Sequence, residues 1–168
     1  YANPDLPILS PIQPNCDFAL GSITVTNGIS GITYSTDAVN FQTSNVFNNL
    51  AAGSYSVYMK SSNGCISQPN QTVINAQPEL AVKSVITASP ASGSVCAGET
   101  VTLNSSVLTS IQWYKDGVAI SGATGASYKA ALAGTYTVES TSTAGCTALS
   151  DPKTVVINKQ PDVIIAQG

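Results

Sequence analysis

The feature that most constrains the fold of this 168-residue chain is an internal repeat. Residues 50–57 read Leu-Ala-Ala-Gly-Ser-Tyr-Ser-Val and residues 132–138 read Leu-Ala-Gly-Thr-Tyr-Thr-Val, so Tyr55 corresponds to Tyr136. A Gly-Cys pair follows each segment and ends at Cys65 and at Cys146. The period of about 80 residues is much longer than the roughly 20 to 50 residues of a solenoid repeat, so it predicts an array of small, complete domains.

The linkers between the repeats set the predicted domain boundaries. Residues 77–79 read Gln-Pro-Glu and residues 160–162 read Gln-Pro-Asp, and an apolar stretch follows each of them. We therefore expect domains at residues 1–78 and 79–161, with residues 162–168 starting a following module. Short linkers that contain proline bend little, so neighbouring modules are expected to sit end to end in a rod. The chain is interpreted as a piece of a longer secreted protein.

Four cysteines occur, two in each repeat. Domains of this size bury only about 60% of their unfolded surface and benefit from a cross-link. Four cysteines allow three connectivities, of which one stays within the repeats, joining Cys16 to Cys65 and Cys96 to Cys146, while the other two link separate domains. We expect the first, with roughly 4 kcal/mol of stabilisation from each closed loop of about 50 residues. Disulfides imply an oxidising, extracytoplasmic location.

Charge is sparse and excludes two classes of partner. The chain has six lysines, no arginine, no histidine and nine acidic residues, for a net charge of −3. A surface without arginine or a basic cluster recognises phosphate poorly, so nucleic-acid binding is not expected. No apolar run approaches the roughly 20 residues that a membrane helix needs, so we expect no membrane insertion. The fragment is expected to be monomeric.

Alternation with a period of two residues indicates strands throughout the chain. In residues 22–26 it places Ile23 and Val25 on one face, and in residues 54–60 it leaves Tyr58 opposite the apolar set. Further strands are predicted in the second repeat, at residues 99–103, 111–115, 134–139 and 154–157. No window has a helical period. The predicted fold class is all-β, as two tandem immunoglobulin-like antiparallel β-sandwiches with one disulfide each.

The second repeat resembles an immunoglobulin-like domain over residues 90–158. The segments that match strands B, C and F of that fold are residues 98–103, 113–117 and 134–138. Trp113 matches the core tryptophan and Tyr136 the tyrosine-corner residue. The chain departs from the antibody pattern at the central disulfide, because Ser105 and Val138 stand where that pattern has its cysteines.

The first repeat carries a different set of matches over residues 16–80. They are Cys16 and the segments at residues 21–26, 34–35, 49–57 and 63–65. This set resembles the SprB-type repeat of giant cell-surface adhesins of gliding Bacteroidota. The resemblance implies surface adhesion, gliding motility and export by the type IX secretion system. Similar modules also serve as spacers on secreted enzymes.

No catalytic function is expected from this composition. The chain has no histidine for base catalysis, the cysteines are assigned to disulfides, and the nine acids are scattered. Asp5, Glu79 and Asp162 hold the same place in three linker-like segments, which makes calcium at the module junctions a candidate. One acid at each junction is too few ligands, so no cofactor or metal is predicted.

Exposed aromatic rings are the candidate contacts for a polysaccharide. Tyr58 and Tyr114 are each out of phase with the buried residues on their strands, so we expect both to face solvent. The further candidates are Tyr34, Phe41, Phe47 and Tyr128. Trp113 and Tyr136 are assigned to the core.

The function predicted from the sequence is structural and adhesive. The chain would be a repeat segment of a large secreted cell-surface adhesin, acting as part of a filament in surface attachment or gliding motility. Its expected partners are neighbouring repeats of the same chain and a polysaccharide or an abiotic surface. Two alternatives remain, namely a carbohydrate-binding module and a spacer attached to a secreted enzyme.

Overall fold

A computed structural model describes residues 3–159 of the chain, and in this part the secondary structure is entirely strands and turns. The chain divides between Pro78 and Glu79 into two compact units, Tyr1–Pro78 and Glu79–Gly168. We call these the first and the second unit. The predicted module start at residues 162–168 lies outside the described residues.

The first unit has two three-stranded antiparallel sheets. Its strands are β1 (Leu9–Ile12), β2 (Gly21–Val25), β3 (Thr33–Ser35), β4 (Val46–Leu50), β5 (Gly53–Lys60) and β6 (Asn70–Ile74). One sheet has the order β1-β2-β4 and the other has the order β3-β5-β6. The proline-rich start of the chain supplies β1, which lies at a sheet edge as its missing N–H donors require.

The core of the first unit is formed by the residues that the alternation predicted to face inward. Ile23 and Val25 of β2 are fully buried, and so are Val57 and Met59 of β5. Tyr34 and Ile74 complete this core from the same sheet as β5. The two sheets therefore pack face to face through one apolar layer, as in a β-sandwich.

The second unit repeats this plan with more strands. They are β7 (Ile86–Ser89), β8 (Ser94–Cys96), β9 (Val101–Ser105), β10 (Ile111–Lys115), β11 (Val118–Ala119), β12 (Ser127–Ala130), β13 (Gly134–Thr141), β14 (Thr147–Leu149) and β15 (Lys153–Asn158). One sheet has the order β12-β9-β7. The other has the order β11-β10-β13-β15-β8, and β14 also pairs with β13. All these pairs are antiparallel except β15 with β8, which is parallel.

Trp113 fills the centre of the second unit, as predicted, and has no exposed surface. Its indole Nε1 donates a hydrogen bond to the carbonyl oxygen of Gly125 at 2.9 Å, so the one polar atom of the ring is satisfied. Val138 and Leu103 pack in the same cluster from the two sheets. The core position of Trp113 and its strand β10 follow the immunoglobulin-like pattern.

A tyrosine corner is present in both units. The hydroxyl of Tyr136 donates a hydrogen bond to the carbonyl oxygen of Leu132 at 2.9 Å, four residues earlier. The hydroxyl of Tyr55 donates to the carbonyl oxygen of Ala51 at the same distance and spacing. Each bond fixes the turn that leads into the long strand, β5 or β13, as in immunoglobulin-like sandwiches. The fold class of two tandem immunoglobulin-like β-sandwiches is therefore confirmed.

The predicted disulfide pairing is wrong. Cys65 and Cys96 are free thiols, whereas Cys16 and Cys146 are disulfide-bonded. Neither Cys16–Cys65 nor Cys96–Cys146 is therefore formed. A disulfide requires Cα atoms within about 7 Å of each other, and the fold places the two cysteines of each unit much farther apart.

In the first unit, the eight-residue strand β5 separates the two cysteines. Gly53, which begins β5, is paired with Ile74, and the nearby Gln77 donates to the carbonyl oxygen of Cys16 at 3.5 Å. Cys65 instead follows the other end of β5 in a tight turn. Eight residues of strand span about 25 Å, so no bond can form between these two cysteines.

The second unit has the same geometry around β13. Cys96 pairs with Asn158 at the end of β15, beyond the residues of β15 that pair with the start of β13. Cys146 lies in the turn that follows Thr141, the last residue of β13. The cysteines thus mark opposite ends of the unit, and the sequence repeat could not show this because it gives spacing and not direction.

We predict that removing either tyrosine-corner hydroxyl destabilises its own unit. Tyr136→Phe and Tyr55→Phe each delete one hydrogen bond and should lower the free energy of unfolding by about 1 kcal/mol. Thermal unfolding would show this as a fall in Tm of about 4 to 8 °C for a unit of this size. The single tryptophan, Trp113, lies in the second unit, so its fluorescence follows that unit alone. Tyr58→Phe is the control, and an equal effect of that change would contradict the assignment.

Candidate functional site

The candidate surfaces are the outer faces of the two sheets that contain the tyrosine-corner strands. On β5, the residues that alternate with the buried set are Ser56, Tyr58 and Lys60, and each is partly exposed. On β10, the corresponding partly exposed residues are Gln112 and Tyr114. The structure therefore places Tyr58 and Tyr114 on solvent-facing sides of their strands, one in each unit.

In the first unit, Tyr58 lies in one row with a second aromatic residue. Ser35 of β3 pairs with Tyr58, and the adjacent bridge between Tyr34 and Gln42 brings Phe41 alongside Ser35 on the other side. Phe41 and Tyr58 are then two strand spacings apart, or about 10 Å. This row of Phe41, Ser35 and Tyr58 is called the aromatic row below. Phe41 and Tyr58 are partly exposed, whereas Ser35 between them is buried.

A lysine covers one end of the aromatic row. The Nζ of Lys60 lies 4.9 Å from the centroid of the Phe41 ring. Such a cation–π contact contributes about 0.5 to 1 kcal/mol at an exposed site. The ammonium group occupies one face of the Phe41 ring, so a sugar that stacks on that face has to displace it. Tyr58 remains the ring that is open to a ligand.

The loop beside the aromatic row is held by Asp37. Its Oδ1 accepts hydrogen bonds from the Ser35 hydroxyl at 2.7 Å and from the Val39 and Asn40 backbone N–H groups at 2.8 and 2.7 Å. Its Oδ2 accepts one from the Asn40 side chain at 2.7 Å. These donors, led by the Asn40 amide, hold the pKa of the Asp37 carboxyl well below its usual range. Both oxygens of the carboxylate thus accept hydrogen bonds from residues of the loop itself.

In the second unit, Tyr114 has a polar neighbour in place of an aromatic one. It pairs with Thr137 of β13, and its hydroxyl donates to the Oε1 of Glu139 at 3.5 Å. Lys115 and Asp116 form an ion pair at the end of β10. Because the Lys115 ammonium and the Thr135 N–H donate to it, the Asp116 carboxyl has a pKa below its usual value. This face presents polar and charged groups around a single ring.

Most of the other aromatic candidates belong to the core. The Tyr128 ring centroid lies 6.2 Å from that of Trp113 and 5.8 Å from that of Tyr136. Tyr34 is buried, and Phe47 packs against the core of the first unit. Burial raises the pKa of the Tyr136 hydroxyl, with smaller contributions from Tyr128 and Asp116, which keeps it a neutral donor. These rings cannot contact a ligand on the sheet faces.

The junction acids do not assemble a metal site in the described residues. The side chain of Glu79 accepts a hydrogen bond from the Thr143 hydroxyl at 3.0 Å, and its backbone carbonyl accepts one from Ser142 at 2.6 Å. Asp162 lies outside the described residues. Between residues 3 and 159, no three histidine, cysteine, aspartate or glutamate side chains form a group able to hold an ion. In the same part of the chain, no helix is long and apolar enough to cross a membrane.

Two buried serines have a structural role that was not predicted from the sequence. The hydroxyl of Ser67 accepts the Met59 N–H at 2.9 Å, and that of Ser150 accepts the Val138 N–H at 3.0 Å. Both serines are buried, and each satisfies a strand N–H where the next strand is interrupted. A signal was present, since Ser-Gln-Pro at residues 67–69 and Ser-Asp-Pro at residues 150–152 follow the repeat.

No protein-family model and no curated protein matches the chain. Among solved structures, it is similar to the fibronectin(III)-like modules of Clostridium thermocellum CbhA, with 13% identity, a TM-score of 0.36 and coverage of 96% of this chain and 99% of that one. Extracellular domains 3–5 of Drosophila OTK give 14% identity, a TM-score of 0.42 and coverage of 92% of this chain and 62% of that one. SGBP-B of the Bacteroides ovatus mixed-linkage glucan utilization locus, in complex with a mixed-linkage heptasaccharide, gives 10% identity and a TM-score of 0.28. The match covers 98% of this chain and 53% of that one. Similarities this weak assign no family.

We predict that Asp37 makes the stability of the first unit dependent on pH. Its pKa is lowered by folding, so its contribution is present above the usual value of 3.8 and is lost as the pH falls toward the folded pKa. Asp37→Asn should lower Tm at neutral pH and flatten the loss of Tm below about pH 4. Thermal melts between pH 2 and pH 7 by circular dichroism test this, with Asp17→Asn as the control for removing an exposed charge. An unchanged slope in Asp37→Asn would contradict the role.

Proposed function

We propose that the chain is a structural and adhesive segment of a large secreted cell-surface adhesin. Tandem β-sandwich units extend the adhesin from the cell, carry tension and make contact with an external surface. The resemblance of residues 16–80 to SprB-type repeats favours a filament exported by the type IX secretion system and used in gliding motility. The observation that carries the proposal is the parallel arrangement of an early strand and the last strand of each unit.

In the second unit, the parallel pair of β8 and β15 links an early strand of the unit to its last strand. The Val156 N–H donates to the carbonyl oxygen of Gly93, and the Ala97 N–H donates to that of Asn158, each at 2.9 Å. Tension along the chain pulls these two parallel strands in opposite directions. All hydrogen bonds between them are then loaded together and do not open one at a time, which resists extension.

In the first unit, side chains make the corresponding link between β1 and β6. The Gln13 amide donates to the carbonyl oxygen of Val73 at 2.9 Å, and its Oε1 accepts the Asn75 N–H at 2.8 Å. The Asn70 amide donates to the carbonyl oxygen of Pro7 at 2.9 Å. Residue numbers rise in the same direction on both segments, so they are parallel and are loaded in the same way.

Location and chemistry agree with this role. A disulfide is kept in an oxidising compartment, which supports an extracellular position. The polar outer faces, with few charges and single tyrosines, suit weak contacts spread over a surface. The described residues bring together no group of acids and cysteines of the kind that would support catalysis at a metal, and the chain has no histidine.

The alternative is a carbohydrate-binding module, and the aromatic row favours it. Tyr58 and Phe41 are partly exposed and lie about 10 Å apart on one sheet face, an arrangement on which sugar rings can stack. The Lys60 ammonium over Phe41 weakens this case, because it covers part of the surface. A spacer beside an enzyme domain is the third hypothesis and requires no binding surface.

We predict that Gln13 sets the mechanical strength of the first unit. Gln13→Ala removes two of the three side-chain hydrogen bonds that link β1 to β6 and should lower the unfolding force of that unit alone. Single-molecule force spectroscopy on the two-unit chain measures this, with the second unit as the internal reference. Gln68→Ala, an exposed glutamine on the loop before β6, is the matched control. Equal forces for the Gln13→Ala and Gln68→Ala chains would contradict the tension-bearing role of β1 and β6.

We predict that the chain adheres to surfaces without depending on Tyr58 or Tyr114. The assay measures retention of the two-unit chain on glass, polystyrene and a panel of immobilised polysaccharides, with and without calcium. The Tyr58→Ala, Tyr114→Ala double variant should be retained as well as the original chain. The Tyr58→Phe, Tyr114→Phe variant keeps both rings and is the matched control.

Two outcomes would overturn this prediction. Saturable binding to one polysaccharide that is lost in the alanine variant and kept in the phenylalanine variant would establish the carbohydrate-binding alternative. Absence of retention on every surface would remove the adhesive part of the proposal and leave the spacer.

A further inference from the structure

The second cysteine of each unit lies in the same turn. In the first unit, the Ser61 N–H donates to the Cys65 carbonyl oxygen at 2.9 Å, and the Cys65 N–H donates to the Ser61 hydroxyl at 3.2 Å. Ser142 and Cys146 make the same two bonds at 2.8 and 3.2 Å. A glycine with positive φ precedes each cysteine, with values of 86° and 85°. Cys65 is therefore the structural counterpart of Cys146.

The first cysteine of each unit also occupies a common place. Cys16 precedes β2 and Cys96 precedes β9, in each case by five positions, since these strands begin at residues 21 and 101. Both cysteines lie where the last strand of their unit ends. Gln77 donates to the carbonyl oxygen of Cys16, and Asn158 pairs with Cys96. Cys96 is therefore the structural counterpart of Cys16.

The redox states of these counterparts differ. Cys16 and Cys146, one first and one second cysteine, are disulfide-bonded, whereas Cys96 and Cys65, also one of each kind, are free thiols. Cys96, at the end of β8, is exposed, and Cys65, in its turn, is partly exposed, so neither residue lies within a core. Each repeat thus has one bonded cysteine and one free cysteine, and each free cysteine is the counterpart of a bonded one in the other repeat.

We propose that Cys96 of one copy of this chain forms a disulfide with Cys65 of a second copy. The bond joins the counterpart of Cys16 to the counterpart of Cys146, and Cys16 and Cys146 are themselves disulfide-bonded. Because each copy keeps one free thiol of each kind, the linkage continues into a covalent series. This inference goes beyond the adhesive function proposed above and does not depend on it.

The oxidant for this step is a small-molecule disulfide such as oxidised glutathione. The Cys96 thiolate attacks one glutathione sulfur, which forms a mixed disulfide and releases one glutathione thiolate. The Cys65 thiolate of the second copy then attacks the Cys96 sulfur and releases the other glutathione. Two protein thiols lose two protons and two electrons, and the small disulfide is reduced to two thiols.

The test uses two variants that each keep one free thiol. Cys65→Ser retains only Cys96 as a free thiol, and Cys96→Ser retains only Cys65, and both changes are at exposed or partly exposed positions that should fold normally. An equimolar mixture is oxidised in a glutathione redox buffer, separated without reductant and digested for mass spectrometry. The double variant Cys65→Ser, Cys96→Ser is the control for exchange at Cys16 and Cys146.

The proposal expects mixed dimers, linked from Cys96 to Cys65, in several-fold excess over the two homodimers combined. Random pairing gives as many mixed dimers as homodimers, so that ratio would overturn the proposal. Absence of linked dimers, or links that run through Cys16 or Cys146, would overturn it as well. In the original chain, the same oxidation should yield a ladder of multimers that collapses on reduction, while the double variant stays monomeric.

Discussion

Each unit depends on the pairing of one eight-residue strand with neighbours on both of its sides. β5 in the first unit and β13 in the second carry the buried valines Val57 and Val138, which meet the opposite sheet. The tyrosine corner fixes the turn before each strand, so the register of the whole sheet follows from it. Once that register is set, alternate residues divide into a core face and a solvent face.

The length of the same strand determines whether the two cysteines of a unit can form a disulfide. Because Cys16 and Cys65 stand at opposite ends of β5, a cross-link inside the first unit cannot form, and Cys96 and Cys146 are separated by β13 in the same way. The cysteines therefore contribute nothing to holding the two sheets of one unit together. Cohesion within a unit comes from the apolar layer around residues such as Trp113 and Ile23.

The surface properties follow from the same division into faces. The outward set on β5 includes Tyr58, and the outward set on β10 includes Tyr114, with mostly polar neighbours. Such faces offer many weak contacts and few strong ones. The parallel contact of β8 with β15 and the amide hydrogen bonds of Gln13 are the features on which we base the proposed resistance to tension.

The sequence by itself determined the properties that depend on local spacing. A period of two residues identified the strands and the buried faces. The resemblance of residues 90–158 to an immunoglobulin-like domain indicated the tyrosine corner at Tyr136 and the core position of Trp113. These features are set within a few residues along the chain, where side-chain direction follows directly from backbone geometry.

Only the tertiary structure decided which distant residues meet. Gln13 bonds to groups 60 and 62 positions away, and the Ser67 hydroxyl accepts a strand N–H at an interruption that no periodicity marks. Whether Cys65 and Cys96 could pair within their own units depended on the direction in which β5 and β13 run. Repeat spacing assigns equivalent positions, but the distance between two positions is fixed by the folded path of the chain, and this is why the sequence predicted the fold and not the disulfides.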